Sequence, residues 1–260
     1  MVSLRLENAS IADVAWGPGI LAIGLAYYFT SDGVPVRANL TLALLAIWAI
    51  RLAIHLGMRL RLQGEDHRYV AWRDQYEENW WWFSYFKVFL LQAVIAWIVS
   101  LPIYFGIVSM APAALTFLDY VGVALFVVGL VIESVADEHL RRFRAERTNR
   151  GKVLDTGLWR YSRHPNYFGE AVLWWGFGVI SVATGGVPGL LGPAILTYLL
   201  IYVSGVALLE STLIEKAGYI QYVGKTPAFV PLPARVRAQL MTKLRALQKP
   251  SAPPPPKLRY

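Results

Sequence analysis

The stretch Arg160–Ala183, which reads RYSRHPNYFGEAVLWWGFGVISVA, joins a cluster of polar side chains directly to an apolar run. Pro165 suits the first turn of a helix, where its missing N–H needs no partner. The run that follows approaches the roughly 20 residues that a helix needs to cross a ~30 Å hydrocarbon layer. A polar helix start that leads into an apolar span predicts a site for a polar ligand at a membrane surface.

The composition of the whole chain also indicates a membrane protein. Of its 260 residues, 56% are hydrophobic and 16% are charged, and the mean hydropathy is +0.42. In soluble domains about a quarter of all residues are charged. Six spans are predicted, or seven if Asn79–Phe86 enters the membrane or the last segment breaks near Gly205. The six segments are Ile11–Tyr28, Leu40–Gly57, Val88–Ile107, Tyr120–Val135, Tyr167–Ala183 and Pro188–Leu209.

Lys and Arg are concentrated in loops 58–87 and 138–166 and in the tail beyond Glu210. The positive-inside rule therefore places both loops and both termini in the cytoplasm. Many of the cations behind the net charge of +8 are explained by their role in fixing the membrane orientation and by attraction to anionic lipids. Nucleic-acid binding is disfavoured because no recognition module is found in the sequence. The chain has no cysteine, and no metal site is predicted.

The predicted fold class is all-α, a polytopic bundle of transmembrane helices with a cofactor cavity on its cytoplasmic side. One transmembrane domain is expected over residues 1–248, followed by a Pro-rich tail over residues 249–260, which cannot pack a core. The predicted location is a bacterial inner membrane or the endoplasmic reticulum, with several passes through the bilayer.

Two neighbouring segments together predict an anion site. Asp137, Arg141 and Arg144 fall at i, i+4 and i+7, so they share one face of a helix. The alternative for these three is a solvated, salt-bridged helix end. Arg163 and His164 lie directly before the next helix start, where exposed backbone N–H groups and guanidinium groups together favour an anion such as phosphate.

The first turns of that next helix carry three more polar side chains. Asn166 can both donate to and accept from an amide or a ribose, and Tyr167 can hydrogen-bond and stack. Glu170 lies one turn beyond Asn166. A carboxylate within a bilayer span costs at least a few kcal/mol without a partner, so contact with a ligand or partner is favoured over snorkelling to the surface.

The block Arg163–Glu170, with the Trp-Trp-Gly that follows, resembles the C-terminal region of steroid 5α-reductases and their bacterial relatives. Asp13–Gly17, Ala46–Leu52 and Gly64–Tyr69 resemble the bacterial branch, and Tyr219–Pro231 resembles the family's ending. The resemblance covers most of the chain between Asp13 and Pro231.

The Arg-His-Pro core followed by Tyr is shared with isoprenylcysteine-type methyltransferases. An S-adenosylmethionine-dependent membrane methyltransferase is therefore the alternative, and a non-enzymatic lipid-binding protein is a third hypothesis. The reductase is favoured because Asn166 and Glu170 match its form of the motif. The cations near Asp137 also exceed what a zwitterionic cofactor requires.

The resemblance implies NADPH-dependent reduction of the Δ4 double bond of 3-oxo-Δ4 steroids, with hydride added at C5 and a proton at C4. The implied partners are a steroid or sterol-like enone lipid and the membrane lipids around it. In the eukaryotic enzymes a glutamate and a tyrosine hold the 3-oxo group, and Asp13 and Trp48 stand nearest to them here. Both are predicted to be catalytic; the alternatives are a helix N-cap for Asp13 and an aromatic wall for Trp48.

The remaining predictions assign binding residues. Arg51 is expected to pair with Asp13 or Glu133. Trp16, Trp48 and His55 are expected to contact the steroid. The residues expected to bind NADPH are Arg59, Asp66, Asp137, Arg141, Arg144, Arg163, His164, Asn166, Tyr167, Glu170, Tyr222 and Lys225.

Overall fold

The computed structural model describes residue 3 and residues 8–203, 205–213, 216, 218–233, 236 and 239. Every regular element in these ranges is helical, as the all-α prediction requires. The Pro-rich tail predicted over residues 249–260 lies outside the described residues.

The helices follow one another with short connections, apart from the long segment 146–164 between α7 and α8. In chain order they are α1 (Ile11–Phe29), α2 (Pro35–Gln63), α3 (His67–Tyr76), α4 (Trp80–Phe83), α5 (Leu91–Val99), α6 (Leu101–Val108), α7 (Phe117–Ala145), α8 (Pro165–Ala183), α9 (Leu191–Tyr198), α10 (Val206–Leu213) and α11 (Tyr219–Lys225). A π-helical segment, Ser84–Leu90, joins α4 to α5, and a second one, Leu199–Val203, follows α9. Short 3-10 turns lie at Glu77–Asn79, Arg147–Asn149, Gly157–Arg160 and Val187–Leu190.

Five helical stretches are long and apolar enough to cross a membrane, so the chain is an integral membrane protein. They are Ile11–Phe29, Pro35–Leu62, His67–Val99, Phe117–Ala145 and Val187–Glu210. The predicted span Val88–Ile107 is interrupted at Ser100, because Pro102 lies in the first turn of a new helix. The possible break near Gly205 stays a prediction: a helical segment ends at Val203 and α10 begins at Val206, but both lie within the single stretch Val187–Glu210.

Helix α8 lies at the centre of the bundle, between α7, α6 and α9. Leu173, Trp174, Phe177 and Ile180 along its length are fully buried and form much of the apolar core. Because α8 begins at Pro165, the polar residues of its first turns are held at one end of this core.

Helices α7 and α8 meet at glycines that are seven residues apart on each helix. A Cβ added at Gly129 would lie 2.5 Å from the carbonyl oxygen of Gly169, and one added at Gly176 would lie 2.6 Å from that of Gly122. Real Cβ atoms do not approach so closely, and small residues allow membrane helices to pack at short range. This antiparallel contact brings the C-terminal part of α7 against the first turns of α8.

We expect Gly129→Leu to lower the free energy of unfolding by about 1–3 kcal/mol, the usual result of overpacking a tight contact. Unfolding in mixed detergent micelles, followed by circular dichroism, would measure the change. Gly19→Leu is the matched control, because a Cβ at Gly19 meets no atom within 4 Å. Equal stability of the two variants would contradict the close packing of α7 against α8.

The opposite end of α7 is anchored by a buried ion pair. Arg37 Nε donates to Asp119 Oδ1 at 2.9 Å, and the other guanidinium nitrogens donate to the carbonyl oxygens of Pro112 and Ala114 at 2.8 Å. Asp119 also accepts from the backbone N–H and the hydroxyl of Thr116, which caps the helix. This pair is fully hydrogen-bonded, so it holds the loop before α7 and is not a ligand site.

Candidate functional site

A cluster of polar and charged side chains, here called the polar cluster, lies where α2, α7 and α8 meet. Each helix contributes residues that are one turn apart and therefore share a face. The members of the polar cluster are Arg51, His55 and Arg59 on α2, Glu133 and Asp137 on α7, and Asn166 and Glu170 on α8.

Arg51 holds the inner part of the polar cluster together. Its guanidinium group is paired with the carboxylates of Glu133 and Asp137, both of which are buried. Asp137 also accepts a hydrogen bond from Asn166 Nδ2 at 3.0 Å and lies 3.6 Å from His55 Nε2. The prediction that Arg51 pairs with an acid is thus confirmed for Glu133, whereas Asp13 lies elsewhere.

Two atoms of the polar cluster are buried and have no hydrogen-bond partner within the described part of the chain: Glu133 Oε2 and Asn166 Oδ1. The carboxylate of Asp137 can only accept, so Asn166 must present its amino group there and its oxygen elsewhere. A buried acceptor without a donor costs about 1–3 kcal/mol. The inner part of the cluster is therefore suited to a ligand group that donates hydrogen bonds, such as a carboxamide.

At the outer edge of the polar cluster, Arg59 and the neighbouring Arg144 of α7 are two guanidinium groups with little competition from acids. Arg59 lies 3.5 Å from Asp66 and is half-exposed. Arg144 makes no ion pair with any residue that the structure describes, and it lies close enough to Arg59 for their like charges to repel. Two neighbouring guanidinium groups of this kind favour an anion between them.

Asp66 does not neutralise these cations fully, because it is engaged by Arg68. Burial raises the pKa of the Asp66 carboxyl, but hydrogen bonds from the side chain and backbone of Arg68 hold it below the usual value. The two side chains are 2.9 Å apart at Arg68 Nε. The carboxylate also accepts from the first turn of α3, as its helix cap.

The structure corrects the predicted position of Arg141. Its guanidinium group is exposed and donates to Glu138 Oε2 at 2.6 Å, and Arg142 donates to the same carboxylate. The interpretation as a solvated, salt-bridged helix end therefore holds for Arg141, whereas Asp137 belongs to the polar cluster and Arg144 lies beside it.

The observed surroundings of Arg163 also differ from the predicted anion site. Its guanidinium group donates to Glu210 Oε1 at 2.7 Å and to the backbone carbonyl oxygens of Val223 and Thr226, so all three nitrogens are used. His164 Nε2 lies 3.2 Å from the same Glu210 oxygen. These bonds fasten α10 and the C-terminal end of α11 to the loop before α8.

Two further residues that were predicted to bind the cofactor lie in this same region. The hydroxyl group of Tyr222 donates to the carbonyl oxygen of Trp159, and burial raises the pKa of this phenol, so it remains a donor. Lys225 is exposed. The region contacts the polar cluster indirectly, because the ring of His164 is stacked on Tyr167 with centroids 5.5 Å apart.

Asp13 lies near the polar cluster but belongs to a separate hydrogen-bonded row. It is in the first turn of α1, after the N-cap residue Ser10, so it is not the N-cap. Asp13 Oδ1 accepts from the hydroxyl group of Tyr69 at 2.7 Å, and Gln92 Nε2 donates to that hydroxyl at 3.4 Å. Arg68 lies 3.6 Å from the other Asp13 oxygen.

Two cavities flank this row. A polar cavity of about 270 Å³ is lined by Ser10, Asp13, Arg59 and Asp66, among others. A larger cavity of about 510 Å³, here called the apolar cavity, lies between α1 and α5 and includes Trp16 and Gln92 in its wall. The row Asp13–Tyr69–Gln92 therefore runs from the polar cavity to the apolar cavity.

Trp48 lines neither cavity. It is fully buried, and its ring meets that of Trp174 edge to face with centroids 4.9 Å apart. In this position it is a core residue, which gives no support to the predicted catalytic or substrate contact. Of the other predicted steroid contacts, Trp16 borders the apolar cavity and His55 lies in the polar cluster.

Sequence reasoning missed Gln92 as a site residue, and it named Glu133 only as a partner of Arg51 and Tyr69 only as part of the segment Gly64–Tyr69. For Glu133 and Gln92 a signal was available, because each is a polar side chain within an apolar span and such residues require a partner. Tyr69 carried no such signal, since a tyrosine close to a membrane surface is ordinary.

The fold and the site define an all-helical integral membrane protein with a buried charged cluster beside an apolar cavity. The chain belongs to the family described as "Protein of unknown function (DUF1295)", which it matches over residues 1–226.

Individual relatives share less of the chain. It is 25% identical to an uncharacterized protein of Schizosaccharomyces pombe over 201 residues, which cover 68% of this chain and 58% of that protein. It is 41% identical over 66 residues to 3-oxo-5-alpha-steroid 4-dehydrogenase 1 of Mus musculus and of Rattus norvegicus, covering 25% of this chain and 26% of each relative. The chain therefore spans less than two thirds of the length of these curated relatives. No solved structure matches it.

Proposed function

We propose that this protein is an NADPH-dependent membrane reductase that saturates the Δ4 double bond of 3-oxo-Δ4 steroids. The observation that carries the proposal is the row Asp13–Tyr69–Gln92, which links the cavity beside the polar cluster to the apolar cavity. A charged cofactor on one side and a lipid ketone on the other would meet at this row. The partial similarity to 3-oxo-5-alpha-steroid 4-dehydrogenases supports the same reaction.

The residues of the polar cluster fit NADPH. Glu133 Oε2 and Asn166 Oδ1 are buried acceptors that meet no donor among the described residues, which suits a carboxamide. Arg59 and Arg144 would hold phosphate oxygens, and two guanidinium groups exceed what zwitterionic S-adenosylmethionine requires. NADPH, when bound, supplies the hydride. The reductase is preferred to the methyltransferase because this pair of guanidinium groups suits the phosphates of NADPH.

The protein's own contribution to the reaction is polarisation of the ketone. When hydride reaches C5, negative charge develops on the 3-oxo oxygen, and a preorganised donor stabilises that charge. If Asp13 holds a proton, its 2.7 Å bond can run from the carboxyl to the phenol oxygen, which frees the Tyr69 O–H for the ketone. C4 then takes one proton from solvent, so the enone, one NADPH and one proton give the saturated ketone and NADP⁺.

The test is turnover of purified protein in nanodiscs with progesterone as the probe. We expect loss of NADPH absorbance that depends on the steroid, and a product that is reduced at C4 and C5. A parallel binding assay with S-adenosylmethionine addresses the alternative. No NADPH binding together with tight S-adenosylmethionine binding would replace the reductase by a methyltransferase.

We expect Arg144→Gln to raise the Kd for NADPH by about tenfold or more, because a hydrogen bond to a charged group contributes about 1.5–3 kcal/mol. Isothermal titration with NADPH would measure this. Arg141→Gln is the matched control on the same helix, since Arg141 is exposed and paired with Glu138. Equal losses in the two variants would show that Arg144 acts only through net surface charge.

A further inference from the structure

We infer that the apolar cavity binds the body of an uncharged lipid ketone and that Gln92, beside Tyr69, also donates to its oxygen. This inference rests on the proposed function and adds the binding wall and a specificity-determining residue. It is carried by the shape of the cavity, its lack of charge and the position of Gln92.

The apolar cavity has one wall of small residues and one wall of aromatic rings. Ala12, Ala15 and Gly19 of α1 face Tyr85 and Phe89, which belong to the π-helical segment Ser84–Leu90. π-Helical turns are frequent at functional sites. A Cβ added at Gly19 would meet no atom within 4 Å, so the space beside this position is open. Small residues opposite rings leave a slot that suits a flat or extended apolar molecule.

The wall of the apolar cavity carries no charged side chain among the residues that the structure describes. Transfer of a phosphate or another charge into such a wall is costly without a partner. A coenzyme A thioester or a phospholipid is therefore disfavoured, whereas a neutral lipid is accepted. Tyr85 is 41% exposed at the cavity, so an apolar molecule can reach it from the outer surface of the bundle.

Gln92 gives the apolar cavity its directional polar group. It lines the cavity, and its amide has two N–H donors, of which one makes the 3.4 Å bond to Tyr69. A bond of that length is readily exchanged for one to a carbonyl oxygen. Ser3 Oγ lines the same cavity, is buried, and has no partner within the described ranges. The cavity thus offers hydrogen bonds to an uncharged ligand and no ion pair.

The experiment measures equilibrium binding of tritiated progesterone to the protein in nanodiscs, without NADPH. Wild-type protein should show one saturable site. Gly19→Leu, which fills the slot, should raise the Kd by about tenfold or more, since steric exclusion removes most of the apolar contact. Gln92→Leu should raise it about three- to tenfold, as expected for one hydrogen bond. Val94→Leu is the control, because Val94 is exposed on the neighbouring outward face of α5.

Two readouts separate recognition from misfolding. NADPH binding should persist in Gly19→Leu and Gln92→Leu, which shows that both are folded. A steroid that lacks the 3-oxo group should bind wild type and Gln92→Leu equally.

The outcomes for the cavity and for the reductase are distinguishable. Steroid-dependent NADPH oxidation that survives unchanged in Gly19→Leu would contradict steroid binding in the apolar cavity but not the proposed reductase activity. Saturable steroid binding that depends on Gly19, with no NADPH oxidation by wild type, would support binding in the cavity and contradict the reductase activity. Displacement of progesterone by a long-chain enoyl coenzyme A would refute the assignment to uncharged lipids.

Discussion

Tyr69→Phe is expected to lower kcat for enone reduction by about 10²–10³-fold, the loss typical of removing one donor from a developing oxyanion. The phenol is the member of the row Asp13–Tyr69–Gln92 that reaches both the carboxyl of Asp13 and the amide of Gln92. Phenylalanine keeps the ring and its packing but removes the hydroxyl. The KM for NADPH should stay unchanged, because the polar cluster is untouched.

Tyr76→Phe on the same helix is the matched control for this change. Tyr76 is stacked on Phe83 with ring centroids 3.8 Å apart, so loss of its hydroxyl should leave kcat unchanged. Asp13→Leu should lower kcat as well, since leucine has no group that can donate to the phenol oxygen and free the Tyr69 O–H. Steady-state rates of NADPH oxidation with progesterone would show the effect. Wild-type turnover in Tyr69→Phe would remove the phenol from the mechanism and return the polarising role to another donor.

Arg51→Leu is expected to lower the free energy of unfolding by about 3–5 kcal/mol, the usual result of removing one partner of a buried ion pair. The guanidinium group is the common partner of Glu133 and Asp137, and leucine would leave both carboxylates buried without a cation. The side chain of Asn166 would also lose its orientation, because that orientation depends on its hydrogen bond to Asp137. NADPH binding should therefore be lost together with stability.

Arg61→Leu provides the comparison on the same helix, because Arg61 is exposed. Unfolding in mixed micelles would give both free energies. The double variant Arg51→Leu with Glu133→Leu should be more stable than Arg51→Leu alone, since one uncompensated carboxylate is then removed. If Arg51→Leu were as stable as Arg61→Leu, the polar cluster would not depend on this ion pair.

Most of the apolar helices could be predicted because the length of apolar runs follows from the bilayer itself, although the predicted span Tyr167–Ala183 is not among the five stretches found. The break at Ser100 was missed, since Pro102 interrupts an apolar run whose composition alone resembles a continuous span. The start of α8 at Pro165 was anticipated because a proline is suited to a first turn. These features depend on a few neighbouring residues.

The partners of charged residues were harder to predict because helical spacing defines a face but not what that face meets. Arg163 carries the same kind of cation as Arg51, yet it is bound by Glu210 and by carbonyl oxygens, whereas Arg51 joins α2 to α7. Arg141 shares a predicted face with Asp137 but bends back to Glu138. Each outcome depends on which acid lies nearest in space.

The amino-acid sequence by itself determined that this is a helical membrane protein, because the length of its apolar runs has one physical explanation. It also predicted a polar ligand site at the start of α8, and only the tertiary structure decided which residues lie together there. The glycine contacts between α7 and α8 set the helix separation, and this separation places Asp137 within reach of Asn166. The contact between Asp13 and Tyr69, 56 residues apart in the chain, likewise arises from packing alone.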